Sequence, residues 1–214
     1  KLKRLHLNHN PVSDLSPLEG MPLEELNITY TDVRDLTPLK NMPLVRLDAS
    51  NALIEDLSPL AHLPLKVLRA GGNPVRDISH LKQMSLQTLS LSGKHINDWS
   101  PLAELSQLKN LFIHDADIGD FSFLKNLTQL EDLTMKTVGM ENLKPLRGLK
   151  SLENLEVGDN QIRSLKPLRG MPLRFLHVAG NHIQDIDLVR EMPLRRLNVA
   201  DNPVSDLSPL ENQT

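Results

Sequence analysis

Apolar residues recur along the chain at a fixed spacing. Leucines begin ten successive repeats, at positions 2, 23, 44, 65, 86, 108, 130, 152, 173 and 194, so that the repeats are 21 residues long except for three of 22, which start at Leu86, Leu108 and Leu130. Numbered from its first Leu, each repeat is apolar at positions 1, 4, 6, 11, 14, 17 and 20, with Gln213 as the single exception. Such internal periodicity is typical of a solenoid. We therefore expect one repeat array over residues 1–214.

Each repeat contains the pattern of a strand followed by a helical turn. The opening L-x-x-L-x-L alternates inward Leu with outward variable residues, as a short strand requires. The rear of the repeat reads Asp-Leu-Ser-Pro-Leu at 14–18 and 206–210. It predicts one turn of helix or 3₁₀ helix, because Ser is a favoured N-cap and Pro suits the first helical position. Stacked repeats would form a continuous parallel sheet on the concave side of a curved array.

Two polar positions are expected to support the turns. Position 9 is Asn in five repeats, where a buried amide can satisfy backbone groups of neighbouring turns: Asn10, Asn73, Asn160, Asn181 and Asn202. The other five repeats carry Thr31, Ala52, Lys94, Ala116 and Val138 instead, so those turns need another solution. Position 13 is Asp in eight repeats: Asp14, Asp35, Asp56, Asp77, Asp98, Asp120, Asp185 and Asp206. We interpret these carboxylates as acceptors for backbone N–H groups of the helical turn rather than as a calcium-binding ladder.

The consensus L-x-x-L-x-L-x-x-N-x-[VI]-x-D-[LI]-x-P-L resembles the short bacterial leucine-rich repeats. It is most similar to internalin-type arrays and to eukaryotic phosphatase-regulator arrays with a 22-residue unit. The Ser-Pro-Leu and Gly-Met-Pro-Leu phrases are also similar to arrays in large bacterial proteins, some of them linked to kinase domains. The resemblance implies an α/β repeat fold, a right-handed solenoid with a concave parallel sheet and convex 3₁₀ or short helical turns. It also implies protein recognition on the concave face.

Composition narrows the classes of partner. The chain carries 24 Lys and Arg against 27 Asp and Glu, a formal charge of −3, which does not point to nucleic acid. No stretch approaches the roughly 18 apolar residues that a membrane span needs, so we expect no membrane insertion. Cysteine is absent, which excludes disulfides and thiolate chemistry. All seven Met residues occupy apolar positions, so we expect no metal site and no cofactor.

The variable strand positions 3, 5 and 7, with position 8 at the edge, are the candidates for partner binding. Phe112 and Phe175 are large apolar groups where the pattern demands exposure, and aromatics there are favoured anchors; the alternative is that each ring lies flat over neighbouring strands without a partner. Tyr30 and Val67 are weaker candidates of the same kind. The full predicted set is Tyr30, Arg46, Asp48, Val67, Arg69, Phe112, His114, Lys136, Glu156, Phe175 and His177.

Charged residues on adjacent strands form two predicted clusters. Arg46, Asp48 and Arg69 are expected to form a solvated cross-strand ion network, with an anion-binding Arg pair as the alternative. His114, Asp132 and Lys136 form the second cluster. An acid–base site there is disfavoured, because the sequence implies neither a nucleophile nor an enclosing pocket. We do not expect an enzyme, since a shallow sheet offers no pocket of convergent titratable groups.

The favoured function is a protein–protein interaction module that recognises a partner protein on its concave face. The alternatives are a structural spacer or scaffold between flanking domains, and a sensor or regulatory domain of a larger bacterial protein. Terminal repeats of solenoids need polar caps, and none is evident here. We therefore expect a fragment of a longer protein, or ends that associate end to end.

Overall fold

A computed structural model describes residues 1–211; Gln213, where the apolar pattern breaks, lies outside them. Ten parallel strands form one sheet, and their order in the sheet follows the chain. The strands are β1 Arg4–His6, β2 Glu25–Asn27, β3 Arg46–Asp48, β4 Val67–Arg69, β5 Thr88–Ser92, β6 Asn110–His114, β7 Asp132–Lys136, β8 Asn154–Glu156, β9 Phe175–His177 and β10 Arg196–Asn198. Equivalent residues of successive repeats pair in register, as Leu26 does with Leu47.

A short 3₁₀ helix follows each strand on the opposite side of the array. The ten helices are Ser16–Leu18, Thr37–Leu39, Ser58–Leu60, Ser79–Gln83, Ser100–Glu104, Ser122–Asn126, Lys144–Leu146, Lys166–Leu168, Asp187–Glu191 and Ser208–Leu210. Strand and 3₁₀ helix therefore alternate as the repeat pattern predicts, and the predicted solenoid is confirmed. We call the sheet surface that faces away from these helices the concave face.

The hydrophobic core lies between the sheet and the 3₁₀ helices and runs the length of the array. The apolar positions of the repeat supply it, and residues such as Leu26, Leu47 and Leu68 are fully buried. In the 22-residue repeats the larger Trp99 and Phe123 fill the rear of the core. Each repeat buries its apolar side only against its neighbours, so stability depends on stacking.

The 3₁₀ helices begin differently from the sequence-based expectation. Ser16 is the first residue of its helix and not the N-cap, which is Leu15 and makes no side-chain cap hydrogen bond. Asp14 performs the capping: its carboxylate accepts the Ser16 backbone N–H at 2.8 Å and the Ser16 hydroxyl at 2.9 Å. The Ser side chain thus positions the Asp instead of capping the backbone.

All eight Asp residues at position 13 accept the backbone N–H two residues ahead, which confirms their structural role. The backbone N–H and the hydroxyl of Ser16 together hold the pKa of the Asp14 carboxyl below its ordinary value. For Asp120 the Ser122 hydroxyl is the larger cause of the lowered pKa, followed by the Ser122 N–H. Bonds to the charged form favour ionisation, which is why the pKa values of the Asp14 and Asp120 carboxyls are lowered.

Four of the five Asn residues at position 9 bind backbone groups of two repeats, as expected, whereas Asn10 bonds only to its own repeat. Asn160 is buried and donates to the carbonyls of Met135, Val157 and Gly158 at 2.8–3.0 Å. Its oxygen accepts the N–H groups of Val138, at 3.1 Å, and Met140, at 3.0 Å. Asn73 and Asn181 are also buried and make the same kinds of bond. These amides link each turn to the preceding one.

Repeats without Asn satisfy their turns by longer strands or by other groups. In the three 22-residue repeats, strands β5, β6 and β7 are five residues long instead of three, and their register continues to Ser92, His114 and Lys136. Backbone pairing then extends into the turn, where Asp115 N donates to Lys136 O at 3.1 Å. Elsewhere the Thr31 hydroxyl donates to Ile28 O at 2.7 Å.

Candidate functional site

The concave face carries two rows of outward side chains. Position 4 of each strand points into the core, while positions 3 and 5 are half-buried or exposed in nearly every repeat. Because the strands pair in register, position 3 of one repeat lies beside position 3 of the next, and position 5 likewise. The predicted alternation is therefore confirmed, and it places Val67 and Phe175 in the first row and Phe112, Glu156 and His177 in the second.

Phe112 stands near the middle of the concave face. It pairs in register with Ser90 on one side and Thr134 on the other. The ring is half-buried and does not belong to the core cluster between the two layers. Thr134 is only 7% exposed although it lies on this outward face. The small neighbours leave the phenyl ring as the largest apolar group of this region.

Phe175 lies in a cleft between β8, β9 and β10. The cleft has a volume of about 410 Å³ and is lined by Asn154, Glu156, Arg174, Phe175, Arg195 and Arg196. The Arg196 guanidinium carbon lies 5.2 Å from the centre of the Phe175 ring, a cation–π distance. The His177 ring meets the same phenyl edge-on, with centroids 6.5 Å apart, and its Nε2 lies 3.2 Å from Asn198 Nδ2.

The three arginines of the cleft differ in their partners. Arg174 Nε lies 3.2 Å from Glu153 Oε2. Arg195 and Arg196 are exposed and form no ion pair within residues 1–211. Glu156 is half-buried and also forms no ion pair within this range. Sequence reasoning did not include Arg174, Arg195 or Arg196 among the site residues. The signal that could have found the last two is an Arg-Arg pair at positions 2 and 3 of one repeat.

The predicted network of Arg46, Asp48 and Arg69 forms only in part. Arg69 Nη1 lies 3.7 Å from Asp48 Oδ2, as expected. Arg46 instead reaches Glu25, with Nε 3.8 Å from Oε2. Asp48 has polar partners on its other side, because Thr29 Oγ1 donates to it at 2.8 Å.

Glu25 is the centre of a second group of charges on the concave face. Besides Arg46, it lies 3.1 Å from His6 Nε2 and 3.8 Å from Arg4 Nε. All four side chains are partly or largely exposed to solvent, so these pairs add little to stability.

The predicted cluster of His114, Asp132 and Lys136 does not form. Lys136 Nζ pairs with Asp159 Oδ2 at 3.1 Å, on the next repeat. Asp132 accepts a hydrogen bond from the Asn154 side-chain amide. The reason is the strand geometry, because Asp132 and Lys136 lie at opposite ends of the five-residue strand β7. Each of them therefore bonds to a residue of the next repeat.

Tyr30 and Val67 occupy different settings. Tyr30 is 54% exposed and follows strand β2 with φ of 55°, at the rim beyond the sheet. Its ring stacks on His9 with centroids 4.8 Å apart. Val67 is half-buried on the concave face, in register with Arg46 and Thr88.

No group of three or more His, Asp or Glu side chains within residues 1–211 could hold a metal ion. No helix of the described part of the chain has the length and apolar character of a membrane span.

Solved structures place the array among known folds, although no protein-family model and no curated protein sequence matches the chain. An internalin, InlF, from Listeria monocytogenes is 27% identical with a TM-score of 0.80, over 98% of this chain and 70% of that one. Internalin C2 from the same species is 30% identical with a TM-score of 0.61, over 83% of this chain and 70% of that one. The Arabidopsis receptor kinase HAESA was solved with the peptide hormone IDA and the co-receptor SERK1. It is 23% identical with a TM-score of 0.73, over 94% of this chain and 38% of that one. The last likeness concerns the fold alone.

Proposed function

The chain belongs to the internalin family of leucine-rich-repeat proteins, and from that premise we propose that it is a protein-interaction module whose receptor surface is the concave face. A fold alone does not fix a function, and it is the residues of that face that support this one.

The observation that carries the proposal is the position of Phe112 and Phe175. Both rings sit on the outward face of the sheet, half-buried by neighbouring side chains and outside the core. Aromatic side chains in such places lose little conformational entropy on binding and bury a large area. Their strand positions also hold them on a rigid backbone, which lowers the ordering cost of association.

The charge of the surrounding surface supports a protein partner. The two rows of side chains at repeat positions 3 and 5 contain cations, anions and neutral polar groups, including Arg69, Thr88 and Glu156. A polyanion such as nucleic acid would be favoured by a continuous basic surface. Mixed polar groups around aromatic anchors are typical of protein interfaces.

The proposal is tested first by identifying a partner and then by locating its binding surface. The chain serves as bait in native lysate, and captured proteins are identified by mass spectrometry. Affinity for a stoichiometric partner is then measured with the Phe112→Ser, Phe175→Ser double variant. We expect a loss of at least about 100-fold, because truncating an aromatic hot spot costs about 2 kcal/mol or more and the double variant removes two such rings.

A matched control separates loss of the surface from loss of the fold. Val45 is 41% exposed and lies immediately before strand β3, outside rows 3 and 5, so Val45→Ser should bind as the parent does. Circular dichroism and the unfolding midpoint should be unchanged in both variants. Full affinity in the double Phe variant, or failure of a folded bait to capture any protein, would favour the spacer function instead.

A further inference from the structure

We propose that the cleft around Phe175 binds an acidic side chain, Asp or Glu, of an extended partner segment, with the neighbouring apolar side chain of that segment on the phenyl ring. The proposal deepens the proposed function and rests on it, since it names the chemistry of the partner at one place on the concave face.

Unpaired positive charge is the first argument. Three of the four other cations at position 2 pair with a Glu of the adjacent repeat: Lys3 with Glu24 at 2.7 Å, Lys109 with Glu131 at 2.7 Å, and Arg174 with Glu153 at 3.2 Å. The fourth, Lys66, donates instead to the Ser85 carbonyl at 3.2 Å. Arg195 occupies the same position and has no such partner within residues 1–211. Arg46, at the strand position of Arg196, has Glu25. Within residues 1–211, the cleft therefore presents two guanidinium groups that form no ion pair with a carboxylate.

The orientation of Arg196 is the second argument. Its guanidinium carbon is 5.2 Å from the centre of the Phe175 ring, so the group is held against an aromatic face. Contact of this kind restrains the guanidinium without using its N–H donors. No hydrogen bond joins either the Arg195 or the Arg196 side chain to another residue of 1–211. These donors are thus available for a carboxylate, which arginine binds with two parallel hydrogen bonds.

The shape of the cleft and the charge at its other side define the rest of the ligand. The cleft is a shallow, open depression of about 410 Å³, which has room for a few side chains of a partner segment. Glu156 lines the same cleft without an ion-pair partner in the described chain. A second carboxylate, or a doubly charged phosphate, would be repelled by it. The expected segment therefore carries one acid next to an apolar residue, with neutral or basic groups on either side.

The experiment uses blocked tetrapeptides and the whole chain. An acetylated and amidated Gly-Leu-Glu-Gly peptide is titrated into ¹⁵N-labelled protein, and its Gln analogue is titrated in parallel. We expect the Glu peptide to shift the amide signals of Phe175, Arg195 and Arg196, with a dissociation constant on the order of 1 mM. The Gln peptide should bind at least about tenfold more weakly, because the charge-assisted bonds to arginine are lost.

Variants decide whether the two arginines are responsible. The Arg195→Ala, Arg196→Ala double variant should weaken the Glu peptide at least about tenfold and leave the Gln peptide unchanged. Arg46→Ala is the matched control, since Arg46 occupies the strand position of Arg196 but is paired with Glu25; it should bind the Glu peptide as the parent does. Inorganic phosphate is the competing ligand and should not displace the peptide at equal concentration.

Several results would overturn the assignment. These are equal affinity for the Glu and Gln peptides, signal shifts confined to other parts of the sheet, equal loss in the Arg46 control, displacement by phosphate, or no shift at about 10 mM peptide. The proposed function is judged separately, through binding of the captured protein by a Phe112→Ser single variant, because Phe112 lies outside the cleft. A partner that needs Phe112 but not Arg195 and Arg196 would retain the protein-binding function and refute the acidic-segment cleft.

Discussion

Replacement of Asn160 by Ala tests the physical basis of the stacked turns. The Asn160 oxygen accepts the N–H groups of Val138 and Met140, and neither N–H has another partner among residues 1–211. Asn181 accepts only one N–H, that of Ile162, while its own donors are used in the same way. Truncation of Asn160 thus leaves two backbone donors unsatisfied, and truncation of Asn181 leaves one.

The expected cost follows from that difference. A buried donor left without a partner costs about 1–3 kcal/mol, so Asn160→Ala should lower the free energy of unfolding by about 4 kcal/mol and Asn181→Ala by about 2 kcal/mol. Asn10→Ala is the matched control at the same repeat position, because Asn10 is exposed and its oxygen accepts no hydrogen bond from the described residues. Its effect should stay within about 0.5 kcal/mol.

Urea denaturation measures these differences. With a slope of about 3 kcal/mol/M, Asn160→Ala should move the midpoint down by about 1.3 M and Asn181→Ala by about half as much. The far-UV signal and the fluorescence of Trp99, the single Trp, should change together, since repeat arrays can unfold in parts. Equal midpoints for the Asn160 and Asn181 variants would refute the counting of backbone donors.

Two further predictions concern the capping Asp residues and a glycine of the turns. Hydrogen bonds from the following Ser or Thr lower the folded-state pKa of six carboxyls, so the stability they contribute is complete above the unfolded pKa of about 3.9 and is lost as pH falls through the lower folded values: Asp14, Asp35, Asp77, Asp98, Asp120 and Asp206. Replacing all six by Asn should make the unfolding midpoint less dependent on pH below about pH 4. The fold should tolerate the change because an amide oxygen still accepts the N–H, as Asn142 does for Lys144 at 3.1 Å. An unchanged pH profile would contradict this prediction. Gly180→Ala should lower the melting temperature more than Gly170→Ala, because both glycines have positive φ but only at Gly180 would the new Cβ meet Asp159; equal effects would exclude that contact as the cause.

The fold could be predicted from the periodicity because the interactions that determine it act within one repeat or between equivalent positions of neighbouring repeats. The spacing of Leu fixes which side of each strand is buried, and equal spacing brings position 9 of one repeat beside the next. The roles of Asn160 and Asp14 follow from that arrangement, since a short polar side chain can reach only the nearby backbone.

The site could be predicted only in part, because long charged side chains choose among several partners of similar energy. Arg46 could reach Asp48 or Glu25 and lies against Glu25 in the structure. Lys136 joins Asp159 and not the nearby strand of His114. The cleft at Phe175 depends on the relative placement of three successive repeats, which no pattern within one repeat specifies. The N-cap of the 3₁₀ helix was predicted wrongly for a related reason. Asp14 and Ser16 are both suited to accept a backbone N–H at the start of the helix, and in the structure Asp14 does so.

Phe112 lies in the part of the sheet with the longest strands, which connects the irregular repeats with the proposed binding surface. Where Lys94, Ala116 and Val138 replace the usual Asn, strands β5 to β7 extend by two residues and pair through the region that an amide binds elsewhere. Phe112 lies on the central strand of these three, so its backbone is held by continuous pairing on both sides. A ring fixed in this way would lose little conformational entropy on binding a partner. More of the free energy gained by burying the ring would then contribute to affinity. The loss of the Asn ladder in these repeats is therefore compatible with a rigid backbone at the proposed binding surface, because the longer strands replace the missing amides.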